Sequence, residues 1–121
     1  FHPGLIPEVR GLDALLWSVR HSVALGITSH LIDHRVDAGR ILERREISLF
    51  RDDNVFDLSE RLYETQMDML SEAIERTCSG KWEETDYRSS ACNTKMTGEQ
   101  ERQTMELLPS YLERFATNNN I

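Results

Sequence analysis

The sequence predicts an α/β protein built from a β-hairpin with flanking helices. Residues 27–32 and 40–49 carry β-branched side chains and alternate roughly between apolar and polar positions, which is typical of strands. The polar stretch "DHRVDAG" at 33–39 lies between them and favours a longer hairpin loop. From residue 55 onward, apolar side chains recur every three or four positions, which predicts a long amphipathic helix.

The elements before the hairpin are a loop and a short helix. Prolines and glycines within residues 1–11 exclude a helix there. Apolar side chains at helical spacing then predict a helix over about residues 13–24, with Asp13 as its N-cap and Gly26 as its end.

Two helices are predicted after the hairpin. Residues 52–54 offer caps for the long helix, which we expect to end at Gly80. Its apolar side chains are predicted to be core: Val55, Leu58, Leu62, Met69, Leu70, Ala73 and Ile74. Residues 81–97 are polar and predict irregular chain. A last helix over about 98–117 is interrupted or kinked at Pro109, has an apolar face of Met105, Leu108, Leu112 and Phe115, and leads to a frayed end at the asparagines 118–120.

Composition narrows the classes of function. The chain has 121 residues, 39% hydrophobic and 29% charged, with a net charge of -7, which fits one acidic globular domain. No basic stripe is present to neutralise phosphates, so we expect no nucleic-acid partner and no anionic membrane partner. Cys78 and Cys92 do not make a disulfide framework, and their spacing to histidines is not that of a metal site.

The predicted sheet is too small to be complete. A two-stranded hairpin is marginal alone, so these elements are expected to join a sheet that this sequence does not contain. An exposed strand edge near 27–32 would then remain, and exposed edges recruit partners. The sequence therefore predicts a homo-oligomer.

Three side chains could carry chemistry. His2, ahead of a Pro-Gly turn, could be a general base or a charged stabiliser, or simply a solvated histidine. Asp37 could move a proton or orient a histidine, or only satisfy its own turn. His30, inside a predicted strand, could be a half-buried residue satisfied by its neighbours.

Two segments of the sequence, taken together, indicate a protein family far more specifically than any single residue in them does. "HPGLIPEVRG" and "GITSHLIDHRVDAGRIL", followed by "LSERL" at 58–62, resemble the folate-dependent formyltransferases, and the resemblance continues to about Trp82. The positions in register are His2, Pro3, Pro7, Arg10, Gly11, Gly26, Thr28, His30, Asp37 and Gly39.

The resemblance implies a fold and a domain division. Residues 1–82 would be the C-terminal portion of a Rossmann-like formyltransferase catalytic domain, and residues 83–121 an extension with a helix. The N-terminal half of that domain, a parallel sheet, would be absent. The family's motif Asn falls one residue before Phe1.

The resemblance also implies roles for individual residues. The Asn and His2 would stabilise the oxyanion formed when an amine attacks the formyl carbon of 10-formyltetrahydrofolate. Asp37 would pair with His2 and help to move the proton. The backbone of the hairpin loop would contact the pterin ring, and three further residues would hold the catalytic residues in position without contacting the substrate. The loop is Ile32, Asp33, His34, Arg35 and Val36, and the supporting residues are His30, Thr28 and Arg10.

The resemblance implies a small-molecule amine as substrate, and among the family's substrates a nucleotide-linked amino sugar is favoured. Glycinamide ribonucleotide enzymes of the family tend to carry a Glu-His pair in the long helix, where this sequence has Gln66 and Met67. Two alternatives stay open: a purine-pathway glycinamide ribonucleotide formyltransferase, and a nonenzymatic formyltransferase-like dimerisation module. We expect a cytoplasmic enzyme, and no measurable transfer by these 121 residues alone.

Overall fold

A computed structural model describes residues 1–86 and 90–116. In chain order the elements are β1 (Arg10–Gly11), α1 (Ala14–His21), β2 (Gly26–His30), β3 (Ile41–Glu46), α2 (Val55–Ser79), β4 (Cys92–Asn93) and α3 (Gly98–Phe115). The strands form two small sheets: β2 and β3 pair antiparallel, and β1 and β4 pair parallel. None of the helices in these residues is long and apolar enough to cross a membrane.

The predicted hairpin is present, and its strands are shorter than predicted. Leu31 donates its N–H to the Arg40 carbonyl at 2.8 Å, which closes the loop beyond the last strand residue. A Cβ added at Gly39 would overlap the Leu31 carbonyl oxygen, so only glycine fits at this neck. The hairpin therefore presents residues 32–38 as one closed loop.

The short helix α1 differs from the prediction at both ends. Asp13 is at the N-cap position, but it has φ 51° and makes no side-chain cap. Its carboxylate accepts the Met96 N–H at 2.8 Å instead, so a contact across the chain replaces the local cap. Ser22, with φ 55°, ends the helix, and Gly26 begins β2 rather than ending α1.

The two long helices match their predictions more closely. Asn54 and Asp57 form a capping box at the start of α2, and Gly80 is its C-cap, as predicted. The helix α3 runs through Pro109 without a break, and the predicted end at Thr117 lies outside the described residues, as do the asparagines 118–120. Leu70, Ile74 and Met105, predicted as core, are exposed by 43%, 57% and 43%, because each lies on the outer side of its helix.

One core joins the helices to the hairpin. It contains Val19, Leu25, Ile27, Leu49, Leu58, Leu62, Met69, Leu108, Tyr111 and Leu112. The helix α3 packs against α1 and contributes Leu108, Tyr111 and Leu112 to the same core as α2 and the hairpin. The division into two units at residue 82 stays a prediction.

The inner edge of β2 is covered by the opening loop. His2 and Thr28 exchange both backbone hydrogen bonds, at 2.8 and 2.9 Å, and Ile27 and Thr28 are fully buried. The edge predicted to be exposed near 27–32 is closed at Thr28, where the opening loop folds back over it in one isolated bridge. The homo-oligomer stays a prediction, which the mass in solution can test.

Candidate active site

Thr28 organises the opening loop. Its hydroxyl donates to the Gly4 carbonyl at 2.7 Å and accepts the Ile6 N–H at 3.0 Å. With its backbone paired to His2, this buried threonine fixes the loop at three points. The result is that the imidazole of His2 is directed inward, where it is only 4% exposed.

His2, Asp37 and His30 lie together at the base of the hairpin loop. His2 Nδ1 is 3.4 Å from Asp37 Oδ2, and His30 Nε2 is 3.8 Å from Asp37 Oδ1. Asp37 Oδ2 also accepts the Gly11 N–H at 2.9 Å. A single carboxylate thus lies between two imidazoles, and it is the more exposed partner of His2, at 22% against 5% for the side chains.

The second nitrogen of His2 is also engaged. Nε2 is 2.9 Å from the Val9 carbonyl oxygen, which can only accept, so Nε2 carries a hydrogen. A favourable contact of Nδ1 with the ionised carboxylate of Asp37 then requires a second proton on the ring. Such a proton would lie between the imidazole and the carboxylate.

Burial and charge oppose each other at His2. Burial lowers its pKa below the usual value of 6.5, and the nearby Asp37 carboxylate and the Val9 carbonyl act in the opposite direction. The net direction is downward. The imidazole is therefore easier to deprotonate than a free one, which suits a group that exchanges a proton near neutral pH.

The hairpin loop is open to solvent beside this cluster. Ile32 and Val36 are 89% and 61% exposed, and Asp33 and His34 are also exposed. Arg35 pairs with Asp33 and donates its N–H to Asp33 Oδ1 at 2.8 Å, which lowers the pKa of Asp33 to about 2. This side of the loop borders a groove of about 280 Å³ between Leu31, Arg40 and Glu84, among others.

A second cleft lies next to the opening loop. It is mainly apolar, has a volume of about 470 Å³, and runs between the opening loop, α1 and α2. Pro3, Leu15, Tyr63 and Gln66 are among its lining residues. Pro3, the neighbour of His2, thus lines this cleft, and the groove beside the hairpin loop is lined by neighbours of Asp37 such as Arg35.

The larger groove of about 760 Å³ lies elsewhere. It runs between β3, the end of α2 and Trp82, and none of the candidate site residues lines it. Within residues 1–86 and 90–116, no group of three His, Cys, Asp or Glu side chains could hold a metal ion.

The structure brings together most of the residues singled out in the sequence. His2, Asp37, His30, Thr28 and Arg10 form one connected cluster, and the loop 32–36 extends from it. Sequence reasoning missed Val9 and the segment after residue 90, which also contact the cluster. Val9 acts through its backbone carbonyl, which no side-chain pattern reveals.

Comparison with known proteins assigns the chain to a family. Residues 1–74 match the family model described as formyl transferase. Because the match covers more than half of the chain, the chain belongs to the formyltransferase family, and the predicted α/β fold class is confirmed.

Individual relatives extend the comparison. The methionyl-tRNA formyltransferase of Thermodesulfovibrio yellowstonii is 32% identical over 80 residues, 65% of this chain and 26% of its own. The trifunctional purine biosynthetic protein adenosine-3 of Chironomus tentans is 31% identical over 83 residues, 65% of this chain and 6% of its own.

A solved relative covers more of the chain. The formyltransferase PseJ from Anoxybacillus kamchatkensis, solved with UDP-4,6-dideoxy-4-formamido-L-AltNAc and tetrahydrofolate, is 25% identical with a TM-score of 0.67. It matches 84% of this chain and 53% of its own. The chain thus spans about a quarter of the curated relative from T. yellowstonii and about half of the solved one.

Proposed function

We propose that the protein containing this chain transfers a formyl group from 10-formyltetrahydrofolate to a primary amine of a small substrate. The carrying observation is the contact of 3.4 Å between His2 and Asp37, in a chain whose residues 1–74 match the formyltransferase family. An imidazole and a carboxylate sharing a proton are suited to moving a proton between two nitrogens.

The chemistry at this pair is a nitrogen-to-nitrogen transfer. The amine nitrogen forms a bond to the formyl carbon, the carbonyl oxygen becomes an oxyanion, and the carbon–N10 bond then breaks. Asp37, the more exposed member, accepts the proton that the amine loses, and N10 of the leaving tetrahydrofolate receives one. The proton count is unchanged over the cycle.

His2 contributes a hydrogen-bond donor and orientation. The Nε2–H group of its ring, placed beside the reacting carbonyl, favours the oxyanion. Contact with the oxyanion requires His2 Nε2 to exchange the Val9 carbonyl for the substrate oxygen, a change of hydrogen-bond partner within one small loop. Thr28 keeps that loop in place during the exchange.

The donor is assigned to the hairpin loop. Residues 32–36 are largely solvent-accessible and border the groove of about 280 Å³, so their backbone groups are available to a flat heterocycle. The tetrahydrofolate in the solved relative PseJ supports this assignment. Adding tetrahydrofolate to the isotope-labelled chain should shift the amide signals of 32–36, and shifts confined to other regions would contradict the assignment.

The acceptor is assigned to the apolar cleft beside Pro3 and Gln66, and a nucleotide-linked amino sugar is the favoured substrate. The sugar nucleotide UDP-4,6-dideoxy-4-formamido-L-AltNAc in the solved relative PseJ supports a sugar acceptor. The net charge of -7 also disfavours a tRNA acceptor. Glycinamide ribonucleotide is the second candidate, supported by the match to the purine biosynthetic protein.

A panel of amines tests the proposal. The full natural chain that includes these residues is incubated with 10-formyltetrahydrofolate and, separately, with UDP- and dTDP-linked amino sugars, glycinamide ribonucleotide and methionyl-tRNA. Formation of tetrahydrofolate and of a formylated amine is measured. We expect turnover with an amino sugar, and turnover with glycinamide ribonucleotide alone would move the assignment to the second candidate.

Matched histidine variants make the panel specific. His2→Asn should lower turnover by roughly 100-fold or more, as for loss of an oxyanion donor. His21→Asn, at an exposed histidine stacked on Trp17, should leave it unchanged. Absence of turnover with every amine, or equal activity of the two variants, would refute the proposed function. The 121 residues alone should show no transfer, since they span about half of the solved relative.

A further inference from the structure

Arg10 is a buried cation that joins two distant parts of the chain. It is 7% exposed. Its Nε donates to the Asp37 carbonyl at 3.1 Å, one terminal nitrogen to the Val36 carbonyl at 2.7 Å, and the other to the Ser90 carbonyl at 3.1 Å. One guanidinium thus holds both the catalytic hairpin loop and a segment about 80 residues away in the sequence.

The backbone that Arg10 holds is in an uncommon conformation. Asp37 has φ 47°, in the left-handed region that residues with a Cβ adopt rarely. Such a conformation persists only where its surroundings fix it. Here the guanidinium fixes the carbonyls of Val36 and Asp37, and the Gly11 N–H fixes the Asp37 carboxylate.

The segment on the other side of Arg10 is fastened along its length. We call residues 90–96 the C-terminal strap. Within it, β4 pairs in parallel with β1, and the Leu12 N–H donates to the Asn93 carbonyl at 3.0 Å. Trp17 Nε1 donates to the Thr94 carbonyl at 2.8 Å, and the Met96 N–H donates to Asp13.

The strap and β1 leave little room for movement. A Cβ at Gly11, which has φ 91°, would overlap the Asn93 carbonyl oxygen. The residue that donates to the Asp37 carboxylate is therefore also the one pressed against the strap. A displacement of the strap would have to move Gly11, and with it the carboxylate.

We infer that Arg10 is a positioning residue for Asp37, and that the C-terminal strap is part of the active-site framework. The residues of the strap lie outside the region 1–74 that matches the family model. The inference rests on the proposed function only where enzyme activity is measured. The nuclear magnetic resonance and amide-exchange measurements do not depend on the proposed function.

Arginine suits this position because its planar fork of donors can reach three carbonyls at once. Lysine keeps the charge but cannot reproduce the fork. Arg10→Lys should therefore leave the protein folded but free the carbonyls of Val36 and Asp37. Arg51→Lys, at an exposed arginine paired with Glu113, is the matched control.

Two nuclear magnetic resonance signals of the 121-residue chain report the position of Asp37. In Arg10→Lys the Gly11 amide proton should move upfield as its bond to the carboxylate weakens. The pKa of His2 should fall further, because the carboxylate that raises it has moved away. Unchanged Gly11 and His2 signals in a folded Arg10→Lys protein would overturn the inference.

Trp17→Phe tests the strap without touching the site. It removes the hydrogen bond to Thr94 and keeps an aromatic ring. We expect faster amide exchange in residues 92–96 and the same directions of change at Gly11 and His2, with Trp82→Phe as the control for loss of an indole. Faster exchange with no change at Gly11 and His2 would refute the role of the strap. If Arg10→Lys does not fold, Trp17→Phe still tests whether the strap controls the position of Asp37.

Activity separates this inference from the proposed function. In the full natural chain that includes these residues, Arg10→Lys should lower kcat by about 100-fold, the cost of a displacement of about 1 Å, with little change in KM. Normal kcat in a protein that transfers formyl groups would refute positioning by Arg10. Shifted Gly11 and His2 signals in a protein that formylates no amine would refute the proposed function and leave the positioning role intact.

Discussion

Asp37→Asn is the perturbation that most directly tests the site. Asparagine keeps an oxygen that can accept the Gly11 N–H, so the loop should retain its conformation. The change removes a negative charge 3.4 Å from His2 Nδ1 and 3.8 Å from His30 Nε2. We expect the pKa of His2, already lowered by burial, to fall further.

The size of the effect follows from the distance. Two unit charges 3.4 Å apart attract by about 4–5 kcal/mol at an effective dielectric constant of about 20. The Asp37 side chain is 22% exposed, so water reduces this, and about 2 kcal/mol is the expected loss of stabilisation for protonated His2.

The sign determines how stability depends on pH. Because the folded-state pKa of His2 lies below the unfolded value of 6.5, the unfolded chain binds a proton that the folded chain resists. The free energy of unfolding therefore falls as pH drops below 6.5. Without the charge of Asp37 the resistance is greater, so the loss of unfolding free energy between about pH 8 and about pH 5 should be larger than in the unchanged chain, with a limit of about 2 kcal/mol for one proton.

Two measurements check the prediction. Titration of the imidazole signals gives the pKa of His2, and urea unfolding at about pH 8 and about pH 5 gives the pH dependence of stability. Asp52→Asn, at an exposed carboxylate outside the cluster, is the control. If His2 in Asp37→Asn titrates at the same or a higher pH, the two groups do not interact and the reasoning about the site is wrong.

Two further predictions concern the scaffold. Gly39→Ala should cost roughly 1–3 kcal/mol of unfolding free energy, because the new methyl overlaps the Leu31 carbonyl at the neck of the hairpin loop. Gly98→Ala, where a Cβ meets nothing within 4 Å, is its control, and equal Tm values for the two would contradict the tight neck. Met69→Ala, at a fully buried side chain, should cost about 2–5 kcal/mol, whereas Met67→Ala, at a side chain 54% exposed, should change stability by less than about 0.5 kcal/mol. Urea denaturation separates them, and similar losses would mean that the face of α2 is assigned incorrectly.

The sequence determined the elements whose signals are local. The helix α2 begins at its Asn54 cap and ends before Gly80, because capping and glycine chemistry act within a few residues. The hairpin followed from alternation and a polar loop. His2, Asp37 and His30 were singled out by a motif whose spacing reflects a shared family, and the structure places the carboxylate of Asp37 within 4 Å of both imidazoles.

The sequence-based predictions were wrong where a contact with a distant part of the chain replaced the structure that the local sequence favours. Asp13 has the chemistry of an N-cap, but its carboxylate bonds to Met96, and the local cap is lost. Leu70 and Ile74 follow the helical period, but the core reaches only one side of α2. The two-residue strand β4 has no pattern of its own, since its pairing depends on β1 being close by.

The amino-acid sequence by itself determined the family, the hairpin and the long helix of this protein, because motifs and periodicity are properties of neighbouring residues. Only the tertiary structure decided which groups His2 meets and what holds Asp37 in place. The Val9 carbonyl, the Gly11 N–H and the Ser90 carbonyl are backbone groups, so no side-chain pattern in the sequence marks them. Their roles depend on where the folded chain brings them, and packing over long sequence separations sets that position.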